Sequence, residues 1–176
     1  MSRFQQLREM HNGPPVNLEE IIRGLDIELD KRASLRDEIS GILERMADGY
    51  RILVNSNQHY FRQRFTMAHE LAHYLLHLDL IGDGIADDKV FRSKDTGIYK
   101  NSLITEKHER EANALAASIL MPEKLIREHY AKDNDVTNLA RKFETSIPAM
   151  EFRLRNLNLV QKQTSSAMKT DASIAT

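Results

Sequence analysis

The residues with the clearest capacity for chemistry are His69-Glu70-Leu71-Ala72-His73, two histidines four positions apart with a glutamate directly after the first. On a helix, positions four apart share a face, so both imidazoles can reach one zinc ion at about 2.0–2.1 Å. Glu70, offset by about 100° on the next position, can reach water activated at that metal and act as general base. With 7 His and 14 Glu in 176 residues, the pattern arises by chance in about 2% of chains of this composition, so its context must decide. Phe61, Phe65, Ala68, Ala72, Leu75 and Leu76 recur at three- and four-residue intervals around it, which predicts a buried amphipathic helix from about Tyr60 to Leu80. Unpaired polar groups are costly in such a helix, so burial favours a ligand role for the histidines over a solvated face.

A catalytic zinc site needs a third protein ligand and an open position for water. The longer spacing HExxHxxGxxH is absent, because Leu76 and Asp79 occupy its Gly and third His positions. His77 shares the face of His73, but a third ligand from one straight helix reaches poorly around a tetrahedral metal. A carboxylate from a second helix, starting near Ser102, fits better, with Glu106, Glu109 and Glu111 as candidates. Glu109 lies on the face of Ala112, Ala116 and Leu120, whose small members permit close helix approach, and it is the expected ligand. Glu111 points about 160° away and reads as a surface or intrahelical charge partner. Asn113, one turn beyond Glu109, can hydrogen-bond a ligating imidazole.

The elements that position these residues read as α+β. Asn17 followed by LEEIIRGL carries a cap, acidic first-turn residues and a Gly stop, so it predicts a short helix. Ile27 and Leu29 alternate, and ISGILERM and GYRILVN flank an Ala47-Asp48-Gly49 turn, which predicts a β-hairpin within a small antiparallel sheet of about three strands. This sheet is expected to pack on the HExxH helix and the second ligand-bearing helix. The stretch from Asp83 to Asn101 lacks a period and reads as a lid or specificity loop. Residues 123–160 read as three short helices. The expected organisation is a loose N-terminal arm over 1–16, a domain carrying the HExxH metal site over 17–125, a C-terminal helical subdomain over 126–160 and a disordered tail over 161–176.

Composition narrows the function classes. Hydrophobic residues make up 41% and charged residues 29%, and the net charge is −1, as in ordinary soluble globular proteins. With no Cys, disulfide frameworks, thiolate zinc ribbons, Cys nucleophiles and iron–sulfur clusters are excluded together, so a metal must sit on His and carboxylate. No apolar run approaches a membrane span and the polar start has no apolar signal region, so a cytoplasmic location is expected.

At RQRFTMAHELAHYLLH (62–77) and EREANALAASILMP (109–122) the chain resembles the ImmA/IrrE family of zinc metallopeptidases, and the similarity extends over about residues 40–160. Members are similar to thermolysin-type proteases in combining HExxH with a distant Glu. The resemblance implies one zinc ion on His69, His73 and Glu109, with Glu70 as general base. The thermolysin-like Asp four residues after the Glu is replaced here by Asn113, which can still accept a hydrogen bond without supplying the charge.

The resemblance also implies site-specific cleavage of a phage-repressor-like helix-turn-helix regulator, relieving repression of mobile-element or stress-response genes. The 39 residues before Ser40 hold too few helices for a helix-turn-helix domain, so the repressor is expected to be a separate polypeptide. The strand Arg51, Ile52, Leu53, Val54, Asn55, immediately before the zinc helix, is the expected edge for strand addition by an extended substrate. The alternative is a non-proteolytic zinc-binding module that docks a repressor or DNA, motivated by the apolar pattern of 136–160. Residues 141–176 carry six basic against three acidic residues, a net +3 that argues against direct DNA binding.

Overall fold

The computed structural model describes residues 4, 5, 7, 13–81, 84–88 and 103–160. Helix α1 spans Leu18–Gly24, with the Asn17 side chain accepting from the Glu20 N–H and with Leu18, Ile21 and Ile22 buried on one side. Strands β1 (Ile27–Ala33), β2 (Ile39–Met46) and β3 (Gly49–Asn55) follow. Helix α2 (Tyr60–Leu76), a single 3₁₀ turn (Leu78–Leu80) and strand β4 (Gly84–Asp88) come next. Helices α3 (Glu106–Leu120), α4 (Glu123–Tyr130), α5 (Val136–Lys142) and α6 (Ile147–Asn156) complete the α+β fold.

The predicted hairpin forms, with Met46 opposite Gly49 and Leu43 opposite Ile52. Gly49 adopts φ +149°, a backbone conformation that glycine supplies without side-chain strain. The sheet differs from the expectation in two respects. Among the described residues it has four strands in the order β1-β3-β2-β4, and it is mixed, because β1 runs parallel to β3 while β2 is antiparallel to both β3 and β4. Alternation of apolar residues is the same in either strand direction, so Ile27 and Leu29 could not report it. Strand β4 occupies the start of the stretch expected to be a loop from Asp83; the rest of that expectation, up to Asn101, lies outside the described residues, as does the 161–176 tail.

Helix α2 is buried from Thr66 to Leu75 on every side, between the sheet and the second helix. Ala68 and Ala72 on α2 and Ala112 and Ala116 on α3 are fully buried, so little side-chain volume separates these packed helices. The sheet also comes close, because Gly41 on β2 stands where a Cβ would lie 2.3 Å from Thr66 Cγ2. The three C-terminal helices contribute Ile126, Leu139, Phe143, Met150 and Leu154 to the same apolar cluster as Leu43, Ile52 and Leu71. Leu7 and Val16 also join that cluster. Polar ties reinforce the arrangement: Glu144, in the turn between α5 and α6, accepts from Tyr60 at 2.5 Å and pairs with Arg64 at 3.4 Å. Among the described residues no helix is long and apolar enough to cross a membrane.

Candidate metal centre

The close packing of α2 on α3 brings His69, His73 and Glu109 together. The Nε2 atoms of the two histidines are 3.1 Å apart. Glu109 spans them, with Oε2 3.2 Å from His69 Nε2 and Oε1 3.3 Å from His73 Nε2. Both histidines are buried, and one potential ligand atom from each of the three residues lies within 4.8 Å of the others. Ligand atoms at about 2.0–2.1 Å in a tetrahedral arrangement stand about 3.3 Å apart, so the spacing and the two-imidazole, one-carboxylate donor set fit a divalent metal.

Burial lowers the pKa of His73, only partly offset by Glu109, and so keeps the imidazole neutral as ligation requires. Burial alone would raise that of Glu109, but its contacts with His69 and His73 outweigh this and hold the carboxylate at about 2. The centre thus sets the neutral His73 ring and the Glu109 anion side by side, with the His69 ring against both. Glu70 is fully buried on the same helix and faces β2, where a Cβ on Gly41 would lie 3.4 Å from its Oε1.

Asn113 is where the spacing placed it, with Oδ1 3.0 Å from His69 Nδ1. Glu111 is the partly exposed charge partner expected, and it makes a further contact: its Oε2 lies 3.2 Å from His77 Nε2, and His77 Nδ1 lies 3.1 Å from His73 Nδ1. Contact with His77 lowers the pKa of Glu111, and its other oxygen lies 3.7 Å from Lys107, so the intrahelical pairing is present as well. The sequence signal for His77 was its i+4 spacing from His73. For Gly41 it was an isolated glycine inside a strand, which marks a close approach of other groups.

The expected substrate strand is corrected. β3 lies between β1 and β2, which pair with it on both sides, so Arg51–Asn55 offers no edge. Its side chains are structural: Arg51 pairs with Glu44 and Glu28, and Ile52 and Val54 are core. Leu53 is half-buried, opposite Ile42 of β2, and the buried Asn55 amide donates to the carbonyls of Leu35, Arg36 and Ile39. Directly preceding α2 in the chain does not make β3 an edge, because neighbours in the sheet are set by pairing.

The fold and this centre define a metallopeptidase-like domain. The chain belongs to the IrrE N-terminal-like domain family of peptidases, whose profile matches residues 25–155. It is 34% identical over 107 residues to the radiation response metalloprotease IrrE of Deinococcus radiodurans, a match covering 58% of this chain and 30% of that protein. The chain therefore spans about a third of the length of this curated relative. A Mycobacterium tuberculosis transcriptional regulator shares the fold with a TM-score of 0.56 at 18% identity, over 86% of this chain and 45% of that one.

Proposed function

We propose that this chain is a zinc-dependent endopeptidase that makes a site-specific cut in a separate helix-turn-helix regulator of the phage-repressor type, in the cytoplasm, and so relieves repression. The observation that carries the reading is the convergence of His69 and His73, on the buried helix α2 that also carries Glu70, with Glu109 of α3. A zinc ion held by those three residues supplies, when bound, the Lewis acidity that makes water nucleophilic near neutral pH and polarises a peptide carbonyl. Glu70 takes the proton of the attacking water on a carboxylate oxygen. As hydroxide bonds to the carbonyl carbon and the C–N bond breaks, Glu70 returns that proton to the leaving amine.

Two features support a place for an extended peptide. β4 has β2 on one side and no strand on the other among the described residues, which leaves backbone groups for strand addition. A groove of about 560 Å³, lined in part by Phe61, Phe65, Leu120, Met121 and Ala149, opens one turn from His69, whose ring centroid is 6.2 Å from that of Phe65. It suits an apolar side chain of the substrate.

The non-proteolytic docking reading draws on α6, where Ile147 and Phe152 are exposed and favour a protein partner over DNA. Glu70→Gln separates the two readings. With a candidate repressor as substrate, cleavage should fall by roughly 10²-fold or more while metal content and repressor binding persist. Undiminished cleavage would remove Glu70 from the mechanism, and a wild-type protein that binds the repressor without cutting it would favour docking.

A further inference from the structure

His77 and Glu111 have no part in the proposed chemistry, yet they form a chain of contacts that ends at His73. His77 is 6% exposed, and the ring of His108 lies against it with centroids 4.9 Å apart. His108 is itself held by the Thr105 N–H, which donates to its Nδ1 at 3.1 Å. The positions of the hydrogens along the chain follow from Glu111, because an ionised carboxylate can only accept. His77 Nε2, 3.2 Å from Glu111 Oε2, therefore carries a hydrogen and donates it. In neutral His77 the other nitrogen then holds a lone pair, so Nδ1 accepts. The hydrogen it accepts sits on Nδ1 of His73, 3.1 Å away. His73 Nε2 is left with its lone pair, on the side where His69 Nε2 and Glu109 Oε1 lie at 3.1 and 3.3 Å.

We infer that His77 and Glu111 are positioning residues, which together fix His73 in the ring orientation and tautomer whose Nε2 is free to ligate the metal. The inference rests on the reading of His69, His73 and Glu109 as the metal centre. It gives the two ligating histidines unlike supports. His69 is held in one step by the amide oxygen of Asn113. His73 is held by a carboxylate acting through a second imidazole, so of these two supports the one behind His73 carries the negative charge. Lys107 touches Glu111 only at the far end of this chain, 3.7 Å away and largely exposed, and is not part of it.

The test compares the full-length wild type with Glu111→Ala, His77→Phe and Lys107→Ala. Zinc affinity is read by competition with a chromophoric chelator, and the His73 Nδ1–H resonance by ¹H–¹⁵N spectroscopy of the zinc-saturated proteins. Glu111→Ala and His77→Phe should weaken zinc binding by about 10- to 100-fold. In both, the downfield, slowly exchanging His73 Nδ1–H of the wild type should shift upfield and exchange faster with water, while Lys107→Ala should match the wild type in both measurements. Glu111 is partly exposed, so its truncation tests the chain even if His77→Phe fails to fold. Wild-type affinity together with an unchanged Nδ1–H in Glu111→Ala would overturn the inference while leaving the metal centre intact. A wild type that binds no zinc, with Glu109→Ala indistinguishable from it, would overturn the metal centre and this inference together.

Discussion

Asn113 Oδ1 lies 3.0 Å from His69 Nδ1, one helical turn along α3 from Glu109, so a single helix supplies both a ligand candidate and the group that orients another. The amide oxygen accepts from Nδ1–H and turns Nε2 towards Glu109. Asn113→Ala should lower zinc affinity by about tenfold or more, whereas Asn113→Asp should retain it, because a carboxylate accepts the same hydrogen bond and raises imidazole basicity. Chelator competition checks both, and an alanine variant with wild-type affinity would show that the contact does not orient His69.

Gly41→Ala tests the packing of the sheet on α2. A Cβ there would meet Thr66 Cγ2 at 2.3 Å and the Leu53 carbonyl oxygen at 3.0 Å, and Thr66 is fully buried and has little room to yield. The variant should lose about 1–3 kcal/mol in urea unfolding. It should also bind metal more weakly, since α2 carries both histidines. An unchanged unfolding midpoint would mean that β2 and α2 can separate freely at this point.

Asn55→Ala should act on stability. Its buried amide donates to Ile39 O at 2.8 Å and Arg36 O at 3.1 Å, tying the β1–β2 connection to β3. Leaving those carbonyls short of a donor should cost about 1–3 kcal/mol. Below the unfolding transition, the rate of substrate cleavage per folded molecule should be unaffected. A selective rise in KM with full stability would restore this strand to substrate binding.

Acid should destabilise the metal-free protein in two stages. Burial holds the His73 pKa below the ordinary histidine value of about 6.5, so the unfolded chain takes up a proton more readily than the folded one. Stability from this group is fully present above pH 6.5 and is lost as pH falls through the lower folded value. Glu109 adds a second loss, beginning near the ordinary glutamate value of about 4.5 and ending near its folded value of about 2. In the metal-bound protein, protons compete for His69 and His73, so zinc should begin to dissociate below about pH 6. Urea midpoints of chelator-treated protein from pH 7.5 to 5 measure the first stage, and a flat profile would contradict it.

The sequence and the structure agree most closely where periodicity carries the information. The HExxH helix, the hairpin through Ala47-Asp48-Gly49, the three C-terminal helices and the face shared by Glu109 and Asn113 all follow from spacing along one element. Strand neighbours and directions do not, since alternation in β1 and β3 is compatible with either pairing; this hid the parallel β1–β3 pair and the interior position of β3. The role of Glu111 was hidden for a different reason. Angular position on an isolated helix places it far from Glu109, but its side chain is long enough to meet His77, which α2 delivers from the next turn beyond His73. Pairing of this kind depends on how two helices pack, which neither helix's sequence states alone.

Metal binding by His69, His73 and Glu109 is read out by the metal content of the purified wild type and of Glu109→Ala, measured by elemental analysis on protein shown to be folded. Close to one zinc per wild-type chain and little or none in the variant is expected. A folded wild type without bound metal, or a Glu109→Ala variant that keeps a full equivalent, would contradict it.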